Sequence, residues 1–68
     1  MTVEVTVNGQ AREVPAGTTV AELVAAVTEL AAGVAAAVNG EVVARRCWQG
    51  TQLRDGDRIE VVTAVQGG

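Results

Sequence analysis

Three groups in this chain are of types and spacings that could do chemistry: Cys47 beside Arg45 and Arg46, the pair Asp55 and Asp57, and the closing Gln66-Gly67-Gly68. A thiol next to two guanidinium groups is the kind of nucleophile that accepts a persulfide or cross-links to another protein. The plainer reading of Cys47 is a small, partly buried loop residue. Asp55 and Asp57 resemble an acid–base pair on paper, yet they flank Gly56 in a turn-forming "DGD", and they read as structural. The Gly-Gly end offers a different chemistry. A free α-carboxyl group titrates at about 3.3–3.7, so at neutral pH it is a carboxylate and a poor acyl donor until something activates it. Glycines at both final positions leave the acyl carbon open to nucleophiles and let a tail thread a channel that side chains would block. Three residues beyond Val65, if extended, reach about 10 Å from a strand end. A frayed end is the bland alternative.

The residue types that are missing narrow the classes. With no His and one Cys, neither a Ser-His-Asp set nor a zinc or iron–sulfur ligand set can be assembled, and no Gly-rich phosphate loop precedes a helix. The chain is therefore expected to be a carrier or co-substrate rather than an enzyme, with no bound cofactor. Net charge is −3, and all five basic residues are Arg, so the clustered positive charge of a nucleic-acid footprint is absent. The most apolar window, residues 21–38, is interrupted by Glu22 and Glu29, whereas a membrane-spanning helix wants roughly 20 mostly apolar residues. No basic segment followed by an apolar run opens the chain, so a cytoplasmic protein is expected, in keeping with its unpaired cysteine.

Sixty-eight residues, 49 % of them apolar, make one small domain with a thin core. Residues 1–65 are assigned to that domain and 66–68 to a flexible tail. From Thr2 to Val7, Val3, Val5 and Val7 alternate with polar residues in the period of a half-buried strand. Asn8-Gly9 then predicts a tight hairpin turn, with a second strand through Arg12 and Val14 closed by Pro15 and Gly17. Thr19-Val20-Ala21-Glu22 is a capping box that starts a helix. Its buried face would carry Val20, Leu23, Val24, Val27, Leu30 and Ala31, and Gly33 is the expected stop. Residues 34–38 and 41–43 form a second short hairpin around Asn39-Gly40. The last strand runs from Arg58 to Val65, apolar on one face at Ile59, Val61 and Val65 and on the other at Val62 and Ala64. Such a strand belongs in the middle of a sheet, covered by the helix on one side and partly covered on the other. The fold class is α+β: a β-grasp, in which a mixed sheet of about five strands packs on one helix and the final strand lies parallel to the first.

Residues 37–68 resemble the ThiS family of sulfur carriers in thiamin thiazole biosynthesis. The matching positions are Asn39-Gly40, Val43, Arg45, Trp48, Leu53, Asp55-Gly56-Asp57, Ile59-Glu60 and the closing Val65-Gln66-Gly67-Gly68. Each piece is common alone; the ordered set at these spacings is specific, and the first half of the chain agrees in pattern only. The resemblance implies that the Gly68 carboxylate is adenylated by an adenylyltransferase of the ubiquitin-activating type, which uses ATP and magnesium. Sulfur from a persulfide donor then replaces AMP, and the resulting thiocarboxylate supplies thiazole synthase. The family pattern does not require a Cys at position 47.

Other classes stay open on the same residues. Relatives serving molybdopterin synthesis tend to be longer and to carry Phe and Pro near the end, and this chain has no Phe. A carrier for cysteine synthesis, or a ubiquitin-like modifier joined through Gly68 to lysines, would use the same activated carboxyl. A non-reactive β-grasp binding module would need no free Gly-Gly. The expected contact surface is the tail, with Gln66 and Gly67 giving access to Gly68, together with a shallow apolar patch at Val62 and Ala64. Arg45 and Trp48 are further interface candidates, although Trp48 is more simply a packing anchor and Arg45-Arg46 a solvated turn. The free chain is expected to be a monomer.

Overall fold

The computed structural model describes residues 1–29 and 33–63. Strands β1 (Thr2–Val7) and β2 (Gln10–Pro15) form the expected antiparallel hairpin, with Val3 opposite Val14 and Val7 opposite Gln10. Asn8 and Gly9 take φ values of 51° and 84°, and two successive positive values let a two-residue loop follow the right-handed twist of the strands. Because β2 lies at the sheet edge, Pro15 can end it without breaking a ladder.

Helix α1 (Val20–Val27) starts at the capping box. The Glu22 N–H donates to Thr19 Oγ1 at 3.2 Å, and the Thr19 N–H donates to Glu22 Oε1 at 3.0 Å. Thr19→Ala removes one of these partners and is expected to cost about 1 kcal/mol, visible as a lower urea midpoint at unchanged m-value. The helix ends earlier than the sequence suggests. Thr28 is extended at φ −149° and ψ 149°, while its N–H closes a last bond to the Val24 carbonyl at 3.0 Å. Successive β-branched residues, Val27 and Thr28, favour that extension, and no basic side chain supports the last turn. Gly33 takes a positive φ of 74°, but at the entry to the next strand rather than as the helix cap. Leu30 and Ala31, expected on the helical face, lie outside the described residues.

Strands β3 (Val34–Val38) and β4 (Glu41–Val43) form the second hairpin, around Asn39 at φ 53° and Gly40 at φ 86°. A 3-10 helix over Arg45–Gly50 follows, an element the apolar pattern does not announce. Strand β5 (Arg58–Thr63) closes a five-stranded sheet in the order β2-β1-β5-β3-β4. It runs parallel to β1 and antiparallel to β3, which is the β-grasp arrangement expected of two hairpins flanking one helix. Ala64 and Val65, read as the end of this strand, lie outside the described residues.

The core forms where α1 covers one face of the sheet. Val5, Val7 and Val14 of the first hairpin, Ala36 of β3 and Ile59 of β5 meet Val20, Leu23 and Val24 of the helix, with Trp48 and Leu53 joining from the connection that follows β4. No buried polar or charged side chain interrupts this cluster among the described residues. On the opposite face of β5 Val62 is 61 % exposed, so its apolar character belongs to the surface, where the expected apolar patch puts it.

Candidate functional site

Gln66, Gly67 and Gly68, with Ala64 of the expected apolar patch, lie outside the described residues. What the structure defines is how firmly the chain is held up to Thr63. On one side β3 pairs with β5 along its whole length, from Val38 opposite Ile59 to Val34 opposite Thr63. On the other side β1 contributes two residue pairs, Thr6 with Arg58 and Val7 with Ile59. Beyond them the Asn8 N–H donates to the Ile59 carbonyl at 2.9 Å. The Asn8 carboxamide then continues the pairing: its Oδ1 accepts from the Val61 N–H at 2.9 Å and its Nδ2 donates to the Val61 carbonyl at 3.1 Å.

Asn39 secures the other end of the strand. Its Oδ1 accepts from the Arg58 N–H at 2.9 Å, its Nδ2 donates to Asp57 Oδ1 at 3.0 Å, and its backbone N–H donates to the Arg58 carbonyl at 2.7 Å. Both asparagines were legible as turn formers; their second role, as partners of β5, was not. The readable signal was the carboxamide itself, which offers a donor and an acceptor where glycine would have sufficed for the turn.

The acidic pair has structural partners. Asp57 Oδ2 accepts from the Arg54 N–H at 2.8 Å, and Asp55 Oδ1 accepts from the Glu4 N–H at 2.8 Å. These bonds tie the "DGD" turn to itself and to β1, as the structural reading of Asp55 and Asp57 requires. Among the described residues no group of three or more His, Cys, Asp or Glu side chains is placed to hold a metal ion. No helix among them is long and apolar enough to cross a membrane.

The remaining candidates do not form one surface. Trp48 is 7 % exposed, and its indole N–H donates to the Val43 carbonyl at 2.8 Å, so it anchors the 3-10 helix against α1. Arg45 stays at the surface with its guanidinium 5.4 Å from the centre of the Trp48 ring, a cation–π contact. Arg45, Arg46 and Trp48 line a shallow groove with Ala21, Val24 and Ala25 of α1, on the helix-covered side of the sheet. Val62 alternates with the buried Ile59 and the partly buried Val61 and so points from the open side. The interface candidates are thus divided between two faces. Cys47 is exposed rather than partly buried, because the 3-10 turn directs Trp48 inward and its neighbour outward.

The ThiS family model matches residues 5–68, a span that takes in nearly the whole sheet and runs through Gly67-Gly68. The chain belongs to the ThiS family. It is 38 % identical over 61 residues to the sulfur carrier protein ThiS of Escherichia coli strain K12, an alignment covering 90 % of this chain and 92 % of that protein. The crystal structure of the thiamine biosynthesis protein ThiS from Geobacter metallireducens superposes with a TM-score of 0.81 at 33 % identity, covering 97 % of this chain and all of that one. The ThiS match therefore rests on sequence and on three-dimensional form, and it includes the N-terminal half, where the sequence agreed in pattern alone.

Proposed function

We propose that this chain is a sulfur carrier of thiamin biosynthesis and that the Gly68 carboxylate is the group that carries the sulfur. The observation that supports the reading most is the extent of the family match, which continues past β5 to the two terminal glycines. The carboxylate oxygen attacks the α-phosphorus of ATP on a ubiquitin-activating-type adenylyltransferase that holds magnesium, and pyrophosphate leaves. The terminal sulfur of a persulfide donor attacks the acyl carbon and AMP departs. A thiol then cleaves the acyl disulfide, leaving a thiocarboxylate on Gly68 and a disulfide on the donor side. Thiazole synthase takes the sulfur, and the carboxylate returns for another cycle. The work is placed in the cytoplasm, and catalysis resides in the partners.

In this scheme the globular part is a handle. Its open sheet face, with Val62 on the strand that leads to the tail, is the contact surface. Val62→Glu is expected to change folding stability by less than about 0.5 kcal/mol, since the side chain is largely in water, while weakening binding to the adenylyltransferase in a titration calorimeter. An unfolded variant would instead assign Val62 to the core. The function as a whole is tested by deleting the gene in its own organism: growth should then require added thiazole and be restored by the intact chain. Unimpaired growth of the deletion strain without thiazole would refute the reading, and a Gly68–lysine adduct on another protein as the only product would transfer it to protein modification.

A further inference from the structure

We propose that Asn8 is a positioning residue, one that clamps Val61 and thereby holds the last part of β5 for the delivery of Gly68; the second clause rests on the sulfur-carrier reading. The parallel ladder between β1 and β5 has two residue pairs and stops because β1 turns back at Asn8. Val61 comes next on β5, and its N–H and C=O on that side have no strand to meet. The Asn8 carboxamide supplies both partners, at 2.9 Å and 3.1 Å, in place of the rung that β1 no longer provides.

The turn does not demand this side chain. At φ 51° Gly or Asp would be accommodated as well, and Asn39 shows the same backbone conformation with its carboxamide divided between the Arg58 N–H and the Asp57 carboxylate. Only at Asn8 are both polar atoms given to a single residue's backbone. Among short side chains the carboxamide alone presents a fixed donor beside a fixed acceptor, which is what a peptide unit presents. Asn8 therefore acts as a one-residue extension of β1, and it lies on the element that leads to the reacting terminus. A reacting group brought to another protein's active site depends on how its base is held, and small misplacements cost rate rather than binding.

The test is Asn8→Gly in the full chain, which keeps the turn and deletes the clamp. Amide hydrogen exchange at Val61 is expected to accelerate about tenfold relative to Ile59 and Leu23, the loss expected for one hydrogen-bonding unit. With the adenylyltransferase and persulfide donor, kcat for charging is expected to fall about three- to tenfold while KM stays within about twofold, because the recognised surface is untouched. Three results would overturn the proposal: unchanged exchange at Val61, equal acceleration at all three amides, or a released Val61 with kcat unaltered. A wild-type chain that is never charged would refute the sulfur-carrier reading instead, and the exchange ratio would still decide whether the clamp exists.

Discussion

A chain lacking Gly68 is expected to fold normally and to support no thiazole formation. Among the described residues β5 is held by β3, β1 and the Asn8 and Asn39 side chains, and removing the last residue of the chain leaves these contacts in place. The chemistry is affected differently. Shortening the tail moves the carboxylate back by about 3.5 Å, the span of one extended residue, and near-attack geometry fails at far smaller displacements. Complementation of the gene deletion should therefore drop to background, with an unchanged thermal midpoint and circular dichroism spectrum. Full activity without Gly68 would remove the terminal carboxylate from the mechanism.

Leu23→Ala is expected to remove a large part of the chain's stability and to shift its urea midpoint strongly downward. Leu23 is 1 % exposed, at the centre of the helix face that covers β1 and β5. Alanine is the better helix former, so the loss is one of packing alone, about 2–5 kcal/mol for a buried leucine. A chain of this length has roughly 3–10 kcal/mol of total stability; its single cysteine cannot form an internal disulfide, and the described residues hold no metal-ligand cluster to compensate. The control is Val42→Ala on the open face, where the side chain is 80 % exposed and little change is expected. Urea unfolding of the two variants makes the comparison, and near-equal midpoints would show that the core is not organised around α1.

Much of this architecture was legible because its signals are local. Two Asn-Gly pairs set both hairpins, Thr19 and Glu22 set the start of the helix, and the two-sided apolar run from Arg58 placed its strand at the centre. What escaped was either hidden behind a more conspicuous local signal or set by packing. The helix stops at Val27 because the β-branched pair prefers to extend, while Gly33 offered a more conspicuous but later stop. The 3-10 helix over Arg45–Gly50 exists because Trp48 must reach both the Val43 carbonyl and α1, which no window around it reveals. Cys47 was judged by residue type and turned out to face solvent once its neighbours were in place. The side-chain role of Asn8 joins residues 53 positions apart, beyond the reach of any turn rule.

The proposed reacting end lies outside the described residues, and its reading rests on a different kind of signal. Gly67-Gly68 has no packing purpose that the sequence can supply, and a pair of residues useless to a core marks a place where access matters more than stability. The remainder of the chain supports it indirectly: a short, centrally held strand is a rigid base for a reactive arm, and the polar bonds around Asp55, Asp57, Asn39 and Asn8 fix that strand at both ends.

The central claim, that sulfur is carried on the Gly68 carboxylate, is tested most directly by the intact mass of the protein after incubation with ATP, magnesium, the adenylyltransferase and a persulfide donor. The expected product is heavier by the difference between one sulfur and one oxygen, with the change confined to the C-terminal peptide and absent without ATP. A mass unchanged under conditions in which the same partners charge an established ThiS protein of the same organism, or a sulfur found on Cys47 instead, would contradict it.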